Sequence, residues 1–106
     1  MDIYFEQQGI RFVWHEEKGR TNTLRHDGIT FEQATEAFFD PFLKVLNASR
    51  NEEARDAIVG MDTCRNLLFV VHIEIEAEEI RLISARKATR KERMDYENWN
   101  FEKTFR

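Results

Sequence analysis

Two apolar segments, "LLFVV" (residues 67–71) and "IRLIS" (residues 80–84), decide the fold of this chain. Both are rich in the β-branched and large apolar side chains that are typical of strands. Between them lies the acidic stretch "EIEAEE" (74–79). Two such segments on either side of a polar connection predict an antiparallel hairpin, because cross-strand pairs then stabilise both strands.

Further strands are predicted on the N-terminal side of this hairpin. "ARDAIVGM" (54–61) reads as a strand that joins the hairpin through "DTCR", and "FLKVL" (42–46) reads as another short strand. "IRFVW" (10–14) alternates large apolar residues with Arg and Val, which predicts a strand buried mainly on one face.

Two helices are predicted between the first strand and these later ones. In segment 15–28, Glu16 and Glu17 lie at the start of the predicted helix, and Arg25 and His26 lie at its end before Gly28. This order suits the helix dipole and a left-handed C-terminal cap. Thr30 and Gln33 form a capping box for the second helix, and Pro41 ends it.

A closing helix completes the predicted architecture. Thr89 and Glu92 form a second capping box, which opens a helix that runs through about Trp99. We therefore expect one domain over residues 1–106, of the α+β class. It would have an antiparallel sheet of about four strands, two N-terminal helices and one C-terminal helix, with the helices against one face.

The composition and the N-terminal sequence indicate the cellular location of the protein. The formal net charge is −4, and Cys64 is the only cysteine, so we expect no intrachain disulfide and a reducing, cytoplasmic location. The N-terminus lacks the layout of a signal peptide, and the apolar run 67–71 is too short to span a bilayer. We expect no membrane association.

Positive charge is concentrated in one stretch, "RLISARKATRKER" (81–93). It holds six of the sixteen Lys and Arg residues but only one of the twenty Asp and Glu residues. Basic side chains in the first turn of a helix oppose its dipole, and a bound phosphate would compensate them. The alternative is a solvated helix face that forms salt bridges with the acidic stretch 74–79, and charge alone does not separate the two.

Strand parity bears on any shared site in this stretch. In a regular strand Arg81 points to one face, whereas Ser84 and Arg86 point to the other. These three side chains can therefore meet only if the strand bends or ends near Ser84, or if Arg81 reaches round an edge.

Two further sets of polar residues are candidates for chemistry. His26 lies at a predicted helix C-terminus and is a candidate general acid or base, although it could equally serve only to cap helix carbonyls. His72, Glu74 and Glu76 share one face of a predicted strand, but alternating polar residues usually mark the solvent face of an antiparallel sheet. We therefore expect no metal site and no cofactor.

The motifs, taken in order, resemble the BrnT family of toxins from bacterial type II toxin–antitoxin systems. The resemblance runs from about Phe12 to Tyr96. It rests on "FVWHEEKGRTNTLRHDGITFEQATEAFFDP", "ARDAIVG", "LLFVVH" and "IRLISARKATRKERMDYE". It implies a RelE-like fold and a metal-independent endoribonuclease that inhibits translation by cutting RNA. It also implies a BrnA-type ribbon-helix-helix antitoxin as partner, which binds promoter DNA as part of the complex.

Functional residues follow from the resemblance by position. The matching positions are Lys18, His26, Arg55, Arg81, Ser84 and Arg86. In such an enzyme the 2′-hydroxyl of RNA is the nucleophile, so side chains need only transfer protons and stabilise the phosphate. His26 is the candidate for proton transfer, and Arg55, Arg81 and Arg86 are the candidates for the phosphate.

The remaining roles are supporting ones. Ser84 would orient the substrate, and Lys18, Lys87 and Arg90 would bind the flanking RNA backbone. The catalytic interpretation requires that the arginines converge near His26 and are not locked in pairs with carboxylates. The alternative is a non-catalytic module, derived from such a toxin, that binds nucleic acid or acts as a co-repressor.

Overall fold

A computed structural model describes residues 1–49, 54–75 and 78–104, the last four of them by their backbone alone. Along the chain the elements are β1 (Asp2–Gln7), β2 (Ile10–His15), α1 (Glu16–Arg25), α2 (Phe31–Ala37), β3 (Lys44–Asn47), β4 (Asp56–Met61), β5 (Leu67–Ile75), β6 (Glu79–Lys87) and α3 (Arg90–Thr104). The α+β class and the β5–β6 hairpin are confirmed. No helix in the described part of the chain is long and apolar enough to cross a membrane.

Over the described residues the sheet has six strands in the order β1-β2-β6-β5-β4-β3. The prediction of an antiparallel sheet of about four strands was therefore wrong in number. The sheet is mixed, because β2 pairs parallel to β6 while the other neighbouring strands pair antiparallel. The two helices α1 and α2 follow a hairpin, β1–β2, and do not open the chain. The turn of this hairpin uses Gln8 and Gly9, both at positive φ (50° and 82°), as a tight two-residue connection requires.

Helices cover both faces of the sheet, not the single face that the sequence predicted. The inner face packs against α1 and α2 around a core of eleven buried residues: Phe12, Trp14, Ile29, Phe31, Ala34, Ala37, Ile58, Leu68, Val70, Leu82 and Ala85. The outer face carries a smaller cluster of Val59, Leu67 and Tyr96, with Leu46, Met61, Phe69 and Ala88 against it. Since Tyr96 belongs to α3, the last helix lies on the outer face.

Predicted caps start and anchor the helices. Thr30 accepts a hydrogen bond from Gln33 N (3.0 Å) at the start of α2. At α3 both halves of the capping box are present: Thr89 N donates to Glu92 Oε1 (2.8 Å) and Glu92 N donates to Thr89 Oγ1 (3.2 Å). Farther along α3, the Tyr96 hydroxyl donates to Asp40 Oδ2 (2.7 Å), which fixes the helix to the end of α2.

His72 is buried on the inner face, and the interpretation that placed it on a solvent-exposed strand face was wrong. Its side chain is 3% exposed, and its ring lies edge-on to Phe38 with centroids 4.9 Å apart. Burial lowers the pKa of His72, and the Val70 backbone and the charges of Asp56 and Glu74 only partly oppose this. Within the described residues no group of His, Cys, Asp and Glu forms a potential metal site.

The buried imidazole predicts a pH dependence of stability. An unfolded histidine titrates near pH 6.5, whereas folded His72 titrates at a lower pH, so the unfolded chain binds more protons between the two values. The stability from His72 is complete above about pH 6.5 and falls as the pH drops towards the folded pKa. The fall is at most about 1.4 kcal/mol per pH unit. Urea unfolding at pH 7.0, 6.0 and 5.0 measures it.

A variant separates this effect from other titrations. His72→Leu should flatten the pH dependence between pH 6.5 and 5. The carboxylates with lowered pKa, such as Asp2 and Glu92, lose their contribution only below their unfolded values of about 4. Equal slopes in His72→Leu and the native chain would contradict the prediction.

Candidate functional site

In a regular strand Arg81 would point to the opposite face from Ser84 and Arg86, but an irregularity in β6 changes this. Val71 pairs with Ser84 and the next residue, His72, pairs with Leu82, so β6 carries one extra residue, Ile83, at this point. Such a bulge shifts the alternation of side chains by one position. Leu82 and Ala85 therefore both face the inner core, at 1% and 0% exposure.

The same bulge determines which side chains reach the outer face. With Leu82 and Ala85 directed inwards, alternation on either side of the bulge directs Arg81, Ser84 and Arg86 outwards. A bulge bends the strand that carries it, and a bend near Ser84 was one of the conditions for a shared site. Sharing a face is necessary for a common site, but the contacts of each side chain decide whether they meet.

A cavity of about 300 Å³ lies between Ser84 and helix α1. Its lining residues are Glu17, Lys18, Thr21, Asn22, Arg25, His26, Ile83 and Ser84. Lys18 comes from the first half of α1, and His26 is the C-terminal cap residue, whose N–H donates to Asn22 O (2.9 Å). Lys18 and His26, which were both predicted as site residues, therefore line the α1 side of this cavity, and Ser84 lines its β6 side.

Asn22 places α1 beside β6. The last paired residue of β2 is Val13, opposite Arg81, so the following part of β6 lacks a strand neighbour on that side. Asn22 is buried there, and its amide acts in place of a strand: Nδ2 donates to Ala85 O (2.8 Å) and Oδ1 accepts from Ala85 N (2.9 Å). Nδ2 also donates to Ile29 O (3.2 Å). No role of Asn22 was predicted from the sequence.

A second cavity, of about 420 Å³, lies on the other side of Ser84. It is lined by Asn47, Ala48, Ser49, Arg55, Phe69, Val71, Ser84 and Arg86. The backbone of Arg55 is held by Ala48, whose N–H donates to Arg55 O (3.0 Å). Because Ser84 lines both cavities, they adjoin, and we call the combined depression the Ser84 groove.

Arg86 is held firmly at one side of the groove. Its Nη1 and Nη2 atoms donate to the two carboxylate oxygens of Glu92 (2.7 and 2.9 Å), and its guanidinium lies 4.2 Å above the ring of Phe69. The hydrogen bonds that Arg86 donates to Glu92 raise the pKa of Arg86. Burial alone would raise the pKa of Glu92, but hydrogen bonds from Arg86 and Thr89 outweigh it and lower that pKa.

Arg81 does not join the groove. It forms a fork with Asp2, with Nη2–Oδ2 at 2.8 Å and Nη1–Oδ1 at 3.3 Å. Asp2 belongs to β1, on the opposite side of β6 from the strands β5 and β4 that carry the second cavity. The side chain therefore extends away from Arg55 and lines neither cavity.

The predicted residues thus divide into two groups. The structure brings together five of them around the groove: Lys18, His26, Arg55, Ser84 and Arg86. It leaves three outside the linings of the two cavities: Arg81, and the exposed Lys87 and Arg90 at the junction of β6 and α3. Arg25 lines the groove but was predicted only as a residue of the helix end.

The alternative interpretation of the basic stretch predicted salt bridges with the acidic stretch 74–79. Salt bridges are present, but they involve other carboxylates. Arg81 pairs with Asp2 and Arg86 with Glu92, while Arg93 lies 3.9 Å from Glu97. The requirement that the arginines be free of carboxylates is therefore not met. Any role of Arg86 in binding an anion has to accommodate Glu92.

Comparisons with known proteins agree with this architecture. The model of a family described as "Ribonuclease toxin, BrnT, of type II toxin-antitoxin system" matches residues 14–92. The chain resembles the crystal structure of the Brucella abortus ribonuclease toxin, BrnT, with a TM-score of 0.52 and 24% identity, over 73% of this chain and 94% of that one. At this identity the similarity shows the fold. No curated protein gave a significant match.

The role of Asn22 can be measured. Asn22→Leu keeps the side-chain volume but leaves the N–H and C=O of Ala85 without partners, which should cost roughly 2–4 kcal/mol of stability. Asn98→Leu, at an exposed position on α3, is the matched control and should stay within about 0.5 kcal/mol. Urea unfolding of both variants measures the difference, and equal stabilities would contradict the assignment.

Proposed function

Because the chain belongs to the BrnT family of ribonuclease toxins of type II toxin–antitoxin systems, we propose that it cuts RNA in the Ser84 groove without a metal ion. The observation that carries this proposal is the composition of the groove. Lys18 and His26 line it on one side of Ser84, and Arg55 and Arg86 line it on the other. An imidazole and several cations thus surround one hydroxyl in a protein that is acidic overall.

RNA cleavage by this route requires few functional groups from the protein. RNA supplies its own nucleophile, the 2′-hydroxyl, which attacks the adjacent phosphorus and displaces the 5′-oxygen. The protein must hold the reacting groups in line, transfer protons and stabilise the negative charge that develops on the phosphate. Each of these tasks lies within the capacity of side chains in the groove.

Each groove residue has a role in this proposal. His26, half-buried at the end of α1, transfers a proton. Arg55 and Arg86 bind the phosphate oxygens, because a guanidinium stays charged and donates in a planar fork that matches phosphate. The hydroxyl of Ser84, between the two cavities, orients the phosphate.

Basic residues around the groove bind the flanking RNA. Lys18 contacts the RNA backbone on the α1 side of the groove. Lys87 and Arg90 contact the RNA backbone near the start of α3. We assign Arg81 to structure instead: its fork with Asp2 ties the edge strand β1 to the central strand β6.

A type II toxin has an antitoxin partner. We propose that this partner is a BrnA-type ribbon-helix-helix protein, and that an acidic segment of it covers the Ser84 groove and excludes RNA. Promoter DNA would then contact the complex through the antitoxin. Inhibition of translation in the cytoplasm follows from the cleavage of RNA by the free toxin.

The ion pairs on Arg81 and Arg86 favour a second candidate function. Two carboxylates, from Asp2 and Glu92, neutralise Arg81 and Arg86, two of the three arginines that the sequence assigned to the phosphate. A chain with fewer available cations could bind RNA without cutting it, as a co-repressor derived from a toxin would. Incubation of the native chain with labelled RNA separates the two functions, because only the ribonuclease produces fragments.

Loss of Arg86 tests the cleavage site. Arg86→Ala should lower the rate of RNA cleavage by roughly 100- to 1,000-fold, because a donor aimed at the phosphate is removed, and should relieve growth inhibition. Arg93→Ala removes the same charge from the exposed face of α3 and is the matched control. Undiminished cleavage by Arg86→Ala would overturn the proposed site.

The reaction itself is tested with chelator and modified RNA. EDTA should leave cleavage unchanged, and a single 2′-deoxy substitution at the cut position should abolish it. The fragments should end in a 2′,3′-cyclic phosphate and a 5′-hydroxyl, as mass spectrometry can show. Strong inhibition by EDTA, or cleavage of the 2′-deoxy RNA, would reject the mechanism.

A further inference from the structure

Glu92 takes part in both the N-terminal cap of α3 and the ion pair with Arg86. Its carboxylate accepts the hydrogen bond from Thr89 N that caps α3, and the same carboxylate accepts both hydrogen bonds of the Arg86 fork. The first turn of α3 and one wall of the Ser84 groove therefore share a single side chain. A change in that side chain affects the helix and the arginine together.

The pairing leaves part of the guanidinium available. An arginine has five N–H donors, and the fork to Glu92 takes one on Nη1 and one on Nη2. Nη1 also donates to Lys87 O (3.2 Å), and Phe69 covers one face of the group. Among the residues that the structure describes, none accepts a hydrogen bond from Nε. The edge formed by Nε and the second hydrogen on Nη2 can thus bind an anion while Glu92 stays in place.

The surroundings make this arrangement rigid. The side chains of Arg86 and Glu92 are 34% and 19% exposed, so the pair is shielded from water more than a surface salt bridge is. Phe69, Glu92 and the Lys87 carbonyl contact the guanidinium on three sides. A long side chain held in this way binds a ligand without first losing its rotational freedom, which favours both affinity and rate.

We propose that Glu92 is a positioning residue, which holds Arg86 so that its Nε edge is presented to a phosphate in the Ser84 groove. This rests on the proposed function for the identity of the ligand. The opposite arrangement, in which Glu92 competes with the phosphate for Arg86, predicts the opposite sign: removing Glu92 would strengthen binding.

The first experiment compares three variants for cleavage of labelled RNA under single-turnover conditions. Glu92→Gln should lower the cleavage rate about 10- to 100-fold, with a smaller loss of affinity for a 2′-deoxy RNA. Glu97→Gln removes the same charge from an exposed position of α3 and should behave as the native chain. Thr89→Ala removes only the other half of the capping box, so it reports how much of the loss comes from the helix.

The outcomes of this comparison are decisive. A loss in Glu92→Gln that clearly exceeds the loss in Thr89→Ala supports positioning. Equal losses in the two variants would reduce Glu92 to a helix cap, and tighter RNA binding by Glu92→Gln would make it a competitor. Either of these results overturns the proposal.

A second experiment does not depend on cleavage. The ¹⁵N NMR resonance of Arg86 Nε, assigned with Arg86→Lys, should be resolved in the native chain and should shift when inorganic phosphate is added. In Glu92→Gln it should broaden and respond only at several-fold higher phosphate. If the native chain cuts no RNA but shows this shift, the ribonuclease proposal fails while positioning stands. A resonance unaffected by phosphate, or equally sharp in Glu92→Gln, would overturn positioning.

Discussion

The extra residue in β6 opposite Val71 is the constraint on which the outer face depends. With strict alternation, Leu82 and Ala85 could not both face the inner core, since residues three positions apart in a strand point to opposite faces. The bulge at Ile83 lets the strand keep both in the core and still direct Ser84 and Arg86 outwards. A local departure from regular pairing therefore keeps two apolar residues in the core and places two polar residues in the proposed site.

The two sides of the groove are held in place by two side chains, Asn22 and Glu92, that form hydrogen bonds with backbone groups. Asn22 pairs with Ala85 and brings α1, with Lys18 and His26, to one side of Ser84. Glu92 caps α3 and holds Arg86 on the other side. Both are polar side chains with several partners each, and in both cases the hydrogen bonds that complete secondary structure also position a charged group.

Local patterns in the sequence were sufficient for most elements and for part of the site. The β5–β6 hairpin, the caps at Thr30 and Thr89 and the ends of the helices depend on residues close together in the chain. The parallel pairing of β2 with β6 does not: it joins segments almost seventy residues apart, and no nearby residue signals it. His72 shows a different limit, because alternation beside Glu74 indicated exposure, whereas packing against Phe38 buries it.

Several residues of the candidate groove were predictable from the sequence, but their hydrogen-bond partners were not. Five of the eight predicted residues line the groove, and all five were assigned from positions that match the family motif. Arg81 was misplaced because its carboxylate, Asp2, lies 79 residues away in a strand that the sequence did not reveal.

The strand order has a consequence for how the protein is made. β6 lies between β2 and β5, so it joins the β1–β2 ribbon to the β3–β4–β5 meander, although it is the last strand to leave the ribosome. Until then the two pieces have no strand in common, and neither wall of the groove can be completed. Such dependence on distant pairing slows folding, so the groove can form only after β6 has been synthesised.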